Sequence, residues 1–309
     1  MSDNDSHASS PLILLAGATG ELGIMIARHL AATGARLRVV IRKDSRNTDR
    51  IGELNALGAE LRMLSFNDSE ALLDACRDVS CLVSAVSGLE DVIVGLQSRL
   101  LKAAVGAGVP RFIPSDYCID YTKLSDGQNR NLDLRWRFGR ILDAAPVRAT
   151  SILNGMFTEL LRGQAPLIQK PLRRVMYWGN ARQAMDFTTH EDTAAFTAKA
   201  ALDPEAPRYL RIAGDVQSIK GLAAIATEVY RKPFRTLRLG GLGLLNGMIA
   251  IVRSLSPSAK VVFPAWQGML YLRDMLSGRP KLDPLDNDRY GAMPWTSVSD
   301  VLGGMRDKS

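Results

Sequence analysis

The sequence predicts an α/β protein: a doubly wound parallel sheet followed by a smaller mixed C-terminal lobe. Three observations predict it. Short β-rich runs alternate with amphipathic stretches over the first half of the 309 residues. A glycine-rich turn joins the first such pair. The alternation breaks up after about Asn154. Strand–helix alternation of this kind implies parallel strands covered on both faces.

In chain order, residues 12–16 read as the first strand and 21–32 as a helix. Residues 36–41 and 60–64 read as the second and third strands, and 69–76 as a helix. A fourth strand over 80–85 precedes a long apolar-faced helix at 91–105. Strand 111–114, helix 135–143 and strand 148–153 complete the series. Beyond it, strands at 174–177 and 209–212 mix with helices at 191–201 and 220–230. Thr189 is a natural N-cap for the first of these helices, with Asp192 favourable in its first turn. The expected organisation is a tail at 1–10, a dinucleotide-binding domain at 11–155, and a lobe at 156–309 interleaved with it.

Composition sets the class. Apolar residues are 46% and charged residues 23%, the balance of a globular protein that closes its own core. The first ten residues are polar, unlike a secretory leader, and read as a mobile tail. The three cysteines, Cys76, Cys81 and Cys118, contain no C-x-x-C pair. That usage points to a reducing compartment, the cytoplasm, and away from a disulfide framework or a zinc cage. No His, Cys or acidic residues share a metal-ligand spacing, so no metal is expected. His190, in a helix first turn, reads as structural.

The turn itself is Gly17-Ala18-Thr19-Gly20-Glu21-Leu22-Gly23. It needs a tight bend, a close approach of backbone to pyrophosphate, and close helix–strand packing, which glycine alone supplies without a clash. The helix start then offers free N–H groups and a positive dipole end to phosphate. With a strand before and a helix after, this is a Rossmann-type dinucleotide site. The alternative is a plain strand–helix turn. At the end of the second strand, Arg42 and Lys43 stand where an NAD site carries an acid. Two cations suit a ribose 2′-phosphate, so NADP(H) is the expected cofactor. Asp44 follows directly and leaves NAD(H) open.

With these residues in place, the chain resembles the NmrA-like and isoflavone-reductase-like group of atypical short-chain dehydrogenases/reductases. The Gly17-x-x-Gly20-x-x-Gly23 spacing is that group's form. The stretch AVGAGVPRFIPSD (104–116), the segment MDFTTHEDTAAFTAKAALDP (185–204) and the end AMPWTSVSDVL (292–302) are similar to further group motifs. The resemblance implies that Ser84, Ala85, Val86, Pro114 and Ser115 line the nicotinamide side. It puts Ser65 and Phe66 toward the adenine, and Asn154 and Phe157 beside cofactor and substrate. It implies an NADPH-dependent reductase of a small, partly apolar carbonyl, enone or quinone-like substrate. It also permits a non-catalytic NADP(H)-sensing regulator.

The proton donor is less defined. Ordinary short-chain dehydrogenases use a Tyr with a Lys four residues later, and no Tyr here has one. The resemblance puts the group's helical Lys at Arg135 or Arg137. An Arg cannot act as a base but can hold an anion or a developing oxyanion. Tyr117, Tyr121 and Lys123, on the loop after the fifth strand, are the remaining candidates. Asp116 is expected to order that loop.

Residues 231–281 stand apart. They hold nine cations and one acid, Asp274, a net +8 against +7 for the whole chain. Within them lie apolar runs at 239–252 and 265–276, too short to span a bilayer. Three readings stay open: a packed helical lobe, an apolar lid on a substrate pocket, or a patch for a peripheral membrane or anionic partner. No recognition helix or aromatic platform suggests nucleic acid. A small-molecule substrate is the expected partner, and the oligomeric state is open.

Overall fold

The computed structural model describes residues 10–256 and 260–304. All of the expected N-terminal tail except Ser10 lies outside the described residues.

The first half runs β1 (Leu12–Ala16), α1 (Glu21–Ala32), β2 (Arg36–Arg42), α2 (Thr48–Ala56), β3 (Glu60–Leu64), α3 (Ser69–Ala75) and β4 (Cys81–Ser84). A π-helical segment (Asp91–Leu96) leads into α4 (Gln97–Gly106), followed by β5 (Arg111–Ile113), α5 (Arg130–Asp143) and β6 (Arg148–Ala149). The strands form one parallel sheet in the order β3-β2-β1-β4-β5-β6. The order reverses between β1 and β4, so a crevice opens there at the carboxyl ends of the strands.

The apolar alternation of β1 explains the layers. Ile13 and Leu15 point into one buried cluster with α1, while Leu12 and Leu14 point into another with α3, α4 and α5. A third cluster forms the core of the second lobe.

The second half of the chain holds β7 (Ser151–Leu153), β8 (Met156–Phe157), β9 (Ile168–Gln169), β10 (Arg174–Trp178), β11 (Met185–Thr188) and α6 (His190–Leu202). It continues with β12 (Tyr209–Arg211), β13 (Asp215–Gln217), α7 (Ile219–Tyr230), β14 (Arg235–Gly240), α8 (Leu242–Leu255), α9 (Ala265–Ser277) and α10 (Val298–Gly303). Three small sheets, β14-β10-β9, β13-β11-β8 and β12-β7, tie it together. Helix α6 returns to the first half and packs across α1, with Ala194, Ala198 and Ala201 buried against it.

Three expected elements differ. The strand expected over 148–153 is two strands. Thr150 N still donates to Phe112 O at 3.0 Å, but Ser151 N donates to Arg208 O at 2.8 Å, so the chain leaves the main sheet at that bond. The helix expected from Arg135 begins at Arg130, five residues earlier. The helix expected over 91–105 opens with a π segment, a local widening common near functional sites.

Candidate functional site

The glycine turn lies at the carboxyl end of β1, over the crevice. Gly17 has φ +85°, and a Cβ there would sit 2.5 Å from the Ala85 carbonyl oxygen. The turn therefore presses directly on the segment after β4, and only glycine fits. A Cβ at Gly23 would collide with the Gly17 carbonyl, so α1 can approach the turn only with glycine there. Gly20 N donates to Gly17 O at 3.0 Å and closes the bend. No side chain caps α1, so its first N–H groups stay available to an anion. Thr19, Glu21 and Leu22 lie in this turn and the first turn of α1, and Asn47 Nδ2 donates to Thr19 O at 3.3 Å.

Arg42 ends β2 beside the turn. Its side chain is 66% exposed and meets Asp44 only loosely, at 3.8 Å. Lys43 is exposed beside it. Both cations are thus free to receive a phosphate. After β3, Ser65 Oγ accepts from Asn67 N at 3.3 Å and Phe66 O accepts from Arg99 Nε at 2.9 Å, which fixes that loop.

Across the switch point the segments after β4 and β5 are bonded to each other. Ser115 Oγ donates to Val86 O at 2.7 Å, and Ser115 N donates to the side chain of fully buried Gln97 at 2.8 Å. Gln97 was not singled out by the sequence; it follows the π segment and reads there as one more polar helix residue. Ser84, Ala85, Val86, Pro114 and Ser115 thus form one continuous rim. Asn154 follows β7 at the same end. Its side chain is fully buried, yet neither its oxygen nor its nitrogen has a partner among the described residues. A buried amide with both ends unpaired is costly and marks a place for a ligand's polar atoms. Phe157 lies three residues on, stacked on His190 with centroids 3.8 Å apart. The glycine cradle, the free cations and the unpaired amide all fit a phosphorylated dinucleotide.

The donor candidates separate. Tyr117 has φ +23° and turns its ring into the core shared with α1 and α6. Tyr121 is buried and donates to Asp116 Oδ2 at 2.9 Å. Burial pushes both phenols above their ordinary range, which suits proton retention rather than transfer. Burial likewise raises the Asp116 carboxyl, and its bond to Tyr121 orders the loop. Lys123 Nζ donates to the carbonyls of Lys281, at 2.7 Å, and Asp283. The structure does not bring these three side chains together.

Arg135 and Arg137 point opposite ways. Arg137 pairs with Glu90 at 2.8 Å on the surface. Arg135 turns to the loop after β5: Nε donates to Asp116 O at 2.8 Å and Nη1 to Asn131 O at 2.9 Å. Its Nη2 has no hydrogen bond among the described residues. Cys118 and Tyr271 of α9 lie within electrostatic reach of it. Tyr271 lies four residues after Gln267 and three before Asp274, on the helix face that bonds Asn129 at the start of α5. Its hydroxyl is also unpartnered among the described residues. Sequence reasoning missed Tyr271, because α9 reads as an apolar helix in which one Tyr is unremarked.

A recess of about 300 Å³ lined by Leu12, Arg36, Leu57 and Glu60 opens at the opposite, amino end of the strands, away from every residue above. No cluster of three metal-ligating side chains occurs among the described residues.

Comparison with known proteins agrees with this frame. The model of the NmrA-like family matches residues 9–241. Pinoresinol reductase 2 of Arabidopsis thaliana is 27% identical over 205 residues, covering 62% of this chain and 65% of that protein. The aligned part is thus slightly under two thirds of that relative's length. A bifunctional pinoresinol-lariciresinol reductase of Thuja plicata is 27% identical over 256 residues, 77% of this chain and 81% of that protein. The solved structure of an isoflavone reductase superposes with a TM-score of 0.82 at 21% identity, over 96% of this chain and all of that one (100%). A leucoanthocyanidin reductase–NADPH complex from Vitis vinifera gives 0.78 at 16% identity, over 95% and 98%. At these identities the two structures show a shared fold.

Proposed function

Because the chain belongs to the NmrA-like family, we propose that it is an NADPH-dependent reductase of a small, partly apolar carbonyl, enone or quinone-like substrate. The reading is carried by the glycine cradle pressed on Ala85 with two loosely held cations at its edge. The names of the two relatives above, both reductases, and the NADPH bound to one structural neighbour support it.

In this reading the α1 start and the glycine backbone hold the pyrophosphate, and Arg42 with Lys43 holds the 2′-phosphate. The rim from Ser84 to Val86, Ser115 and the Asn154 amide orient the nicotinamide. NADPH, when bound, supplies the hydride. Arg135, through its free Nη2, donates to the substrate oxygen as negative charge grows there, and Tyr271, within electrostatic reach of it, is a further hydrogen-bond donor. A guanidinium does not give up its proton, so it stabilises the oxyanion, and the proton comes from water, because burial raises the Tyr271 phenol as it does those of Tyr117 and Tyr121.

The test follows NADPH oxidation over a panel of quinones, enones and aldehydes, with cofactor binding read separately by fluorescence. Turnover is expected with at least one class. Arg135→Gln is expected to lower kcat/KM on that substrate about 100-fold, with NADPH binding unchanged. Tight binding with no turnover anywhere removes the reductase reading. Full activity in Arg135→Gln removes the role of Arg135.

A further inference from the structure

Two neighbouring features take no part in the proposed reaction. The first is on α8, which has two apolar faces. Leu245 and Ile249 are buried in the second-lobe core. Leu244, Met248, Ile251 and Leu255 follow one another at spacings of four, three and four residues, which puts them in a separate stripe about 60° wide. They are 54%, 36%, 60% and 80% exposed. The segment after α8 adds Val261 at 50% and Phe263 at 59%. Single exposed apolar residues are ordinary; a continuous stripe is not.

The second feature is charge. The acid of this region, Asp274, is buried and bonded to Asn129 and Arg273, so it contributes nothing to the surface. Arg231, Lys232, Arg235, Arg238 and Lys260 are exposed and form no ion pair among the described residues. Arg235 and Arg238 lie on β14, an edge strand that leads directly into α8.

We propose that this face docks on an anionic lipid bilayer, with α8 lying in the interface plane and the neighbouring cations on lipid phosphates. At about 1.5 Å per residue α8 is about 21 Å long, well short of a hydrocarbon core of about 30 Å. Its apolar stripe is suited to the acyl boundary, and its cations to the headgroup layer just outside it. A bilayer answers both features at once. A second copy of the chain does not, because a twofold contact sets these cations against themselves, and the one acid within 231–281, Asp274, is buried. As a lid, α8 would face the protein through Leu245 and Ile249, not through the stripe. Nucleic acid engages the cations and leaves the stripe in water.

The test uses the full chain and sedimentation with vesicles of phosphatidylcholine and phosphatidylserine, against vesicles of phosphatidylcholine alone. Binding is expected on the mixed vesicles, weaker on the neutral ones, and falling as salt rises. The pair Ile251→Asp/Leu255→Asp and the pair Arg235→Glu/Arg238→Glu are each expected to weaken it about tenfold or more. Unchanged NADPH fluorescence in each variant reports an intact fold. Equal binding to both vesicle types, or none at low salt, overturns the proposal. So does wild-type binding by the stripe variant. A dimer in light scattering that the stripe variant dissociates assigns the face to a second copy instead.

Discussion

Arg42 has little to hold it in place. Its single ionic neighbour among the described residues, Asp44, is 3.8 Å away and itself mostly exposed, an arrangement worth little in water. A phosphate offers it a charge-assisted, bidentate partner instead. Arg42→Glu is therefore expected to raise the Kd for NADPH about 30-fold or more and to change that for NADH about threefold or less, read by fluorescence titration. Equal losses for both remove the 2′-phosphate assignment. At this scale the sequence was legible where one residue type has one use, as at Gly17 and Gly23. It was ambiguous where two alike residues share a helix. Arg135 and Arg137 are two positions apart, hence about 200° apart around α5, and only packing decides which faces the loop after β5. Tyr271 was illegible because its neighbours come from α5 and the β5 loop, over 130 residues away in sequence.

Asn129 bonds the start of α5 to α9. Asn129 stands at the N-cap of α5 without capping it. Its amide instead donates to Asp274 at 2.8 Å and accepts from fully buried Gln267 at 2.6 Å. Asn129→Ala strands both partners in the interior and is expected to cost about 2–4 kcal/mol, measured by urea unfolding. A loss under about 0.5 kcal/mol removes the clamp. Because α9 carries Tyr271, a fall in kcat alongside is also expected. Element by element, the sequence was most readable where an element is buried on one or both faces. β1, β4 and β5 are nearly continuous apolar runs, as in covered parallel strands, and β2 is buried along its middle although Arg38 interrupts its apolar run. Helix α2 went unread because it buries only Leu54. Strands β8, β9 and β13 are two or three residues long, and β14 is exposed along most of its length, so none shows a period. The break at Thr150 is invisible in sequence because both halves remain strand, and only the partner changes.

The molecule as a whole holds one thiol in each of its three apolar clusters among the described residues: Cys118, from the loop after β5, in the cluster formed mainly by the second half, Cys81 on the α1 side of the sheet, and Cys76 on the other. Burial pushes the Cys76 and Cys81 thiols up to about 12 and raises Cys118 as well. A thiol that stays protonated does not attack. The native protein is therefore expected to release almost no colour from a disulfide reagent at pH 8, and three equivalents after full denaturation. A fast native equivalent contradicts the burial of that cluster. Partial denaturation should label the thiols at different rates, each reporting the opening of its own core.

The return of α6 onto α1 has a consequence in time. The ribosome delivers the glycine turn and α1 by Ala32, but the helix that covers α1 ends only at Leu202. β12, the partner of β7, comes later still, at Tyr209–Arg211. Through much of its synthesis the nascent protein carries the phosphate-binding helix with one apolar side bare. The nucleotide half thus closes late in translation, when the chain that follows it comes back to cover it.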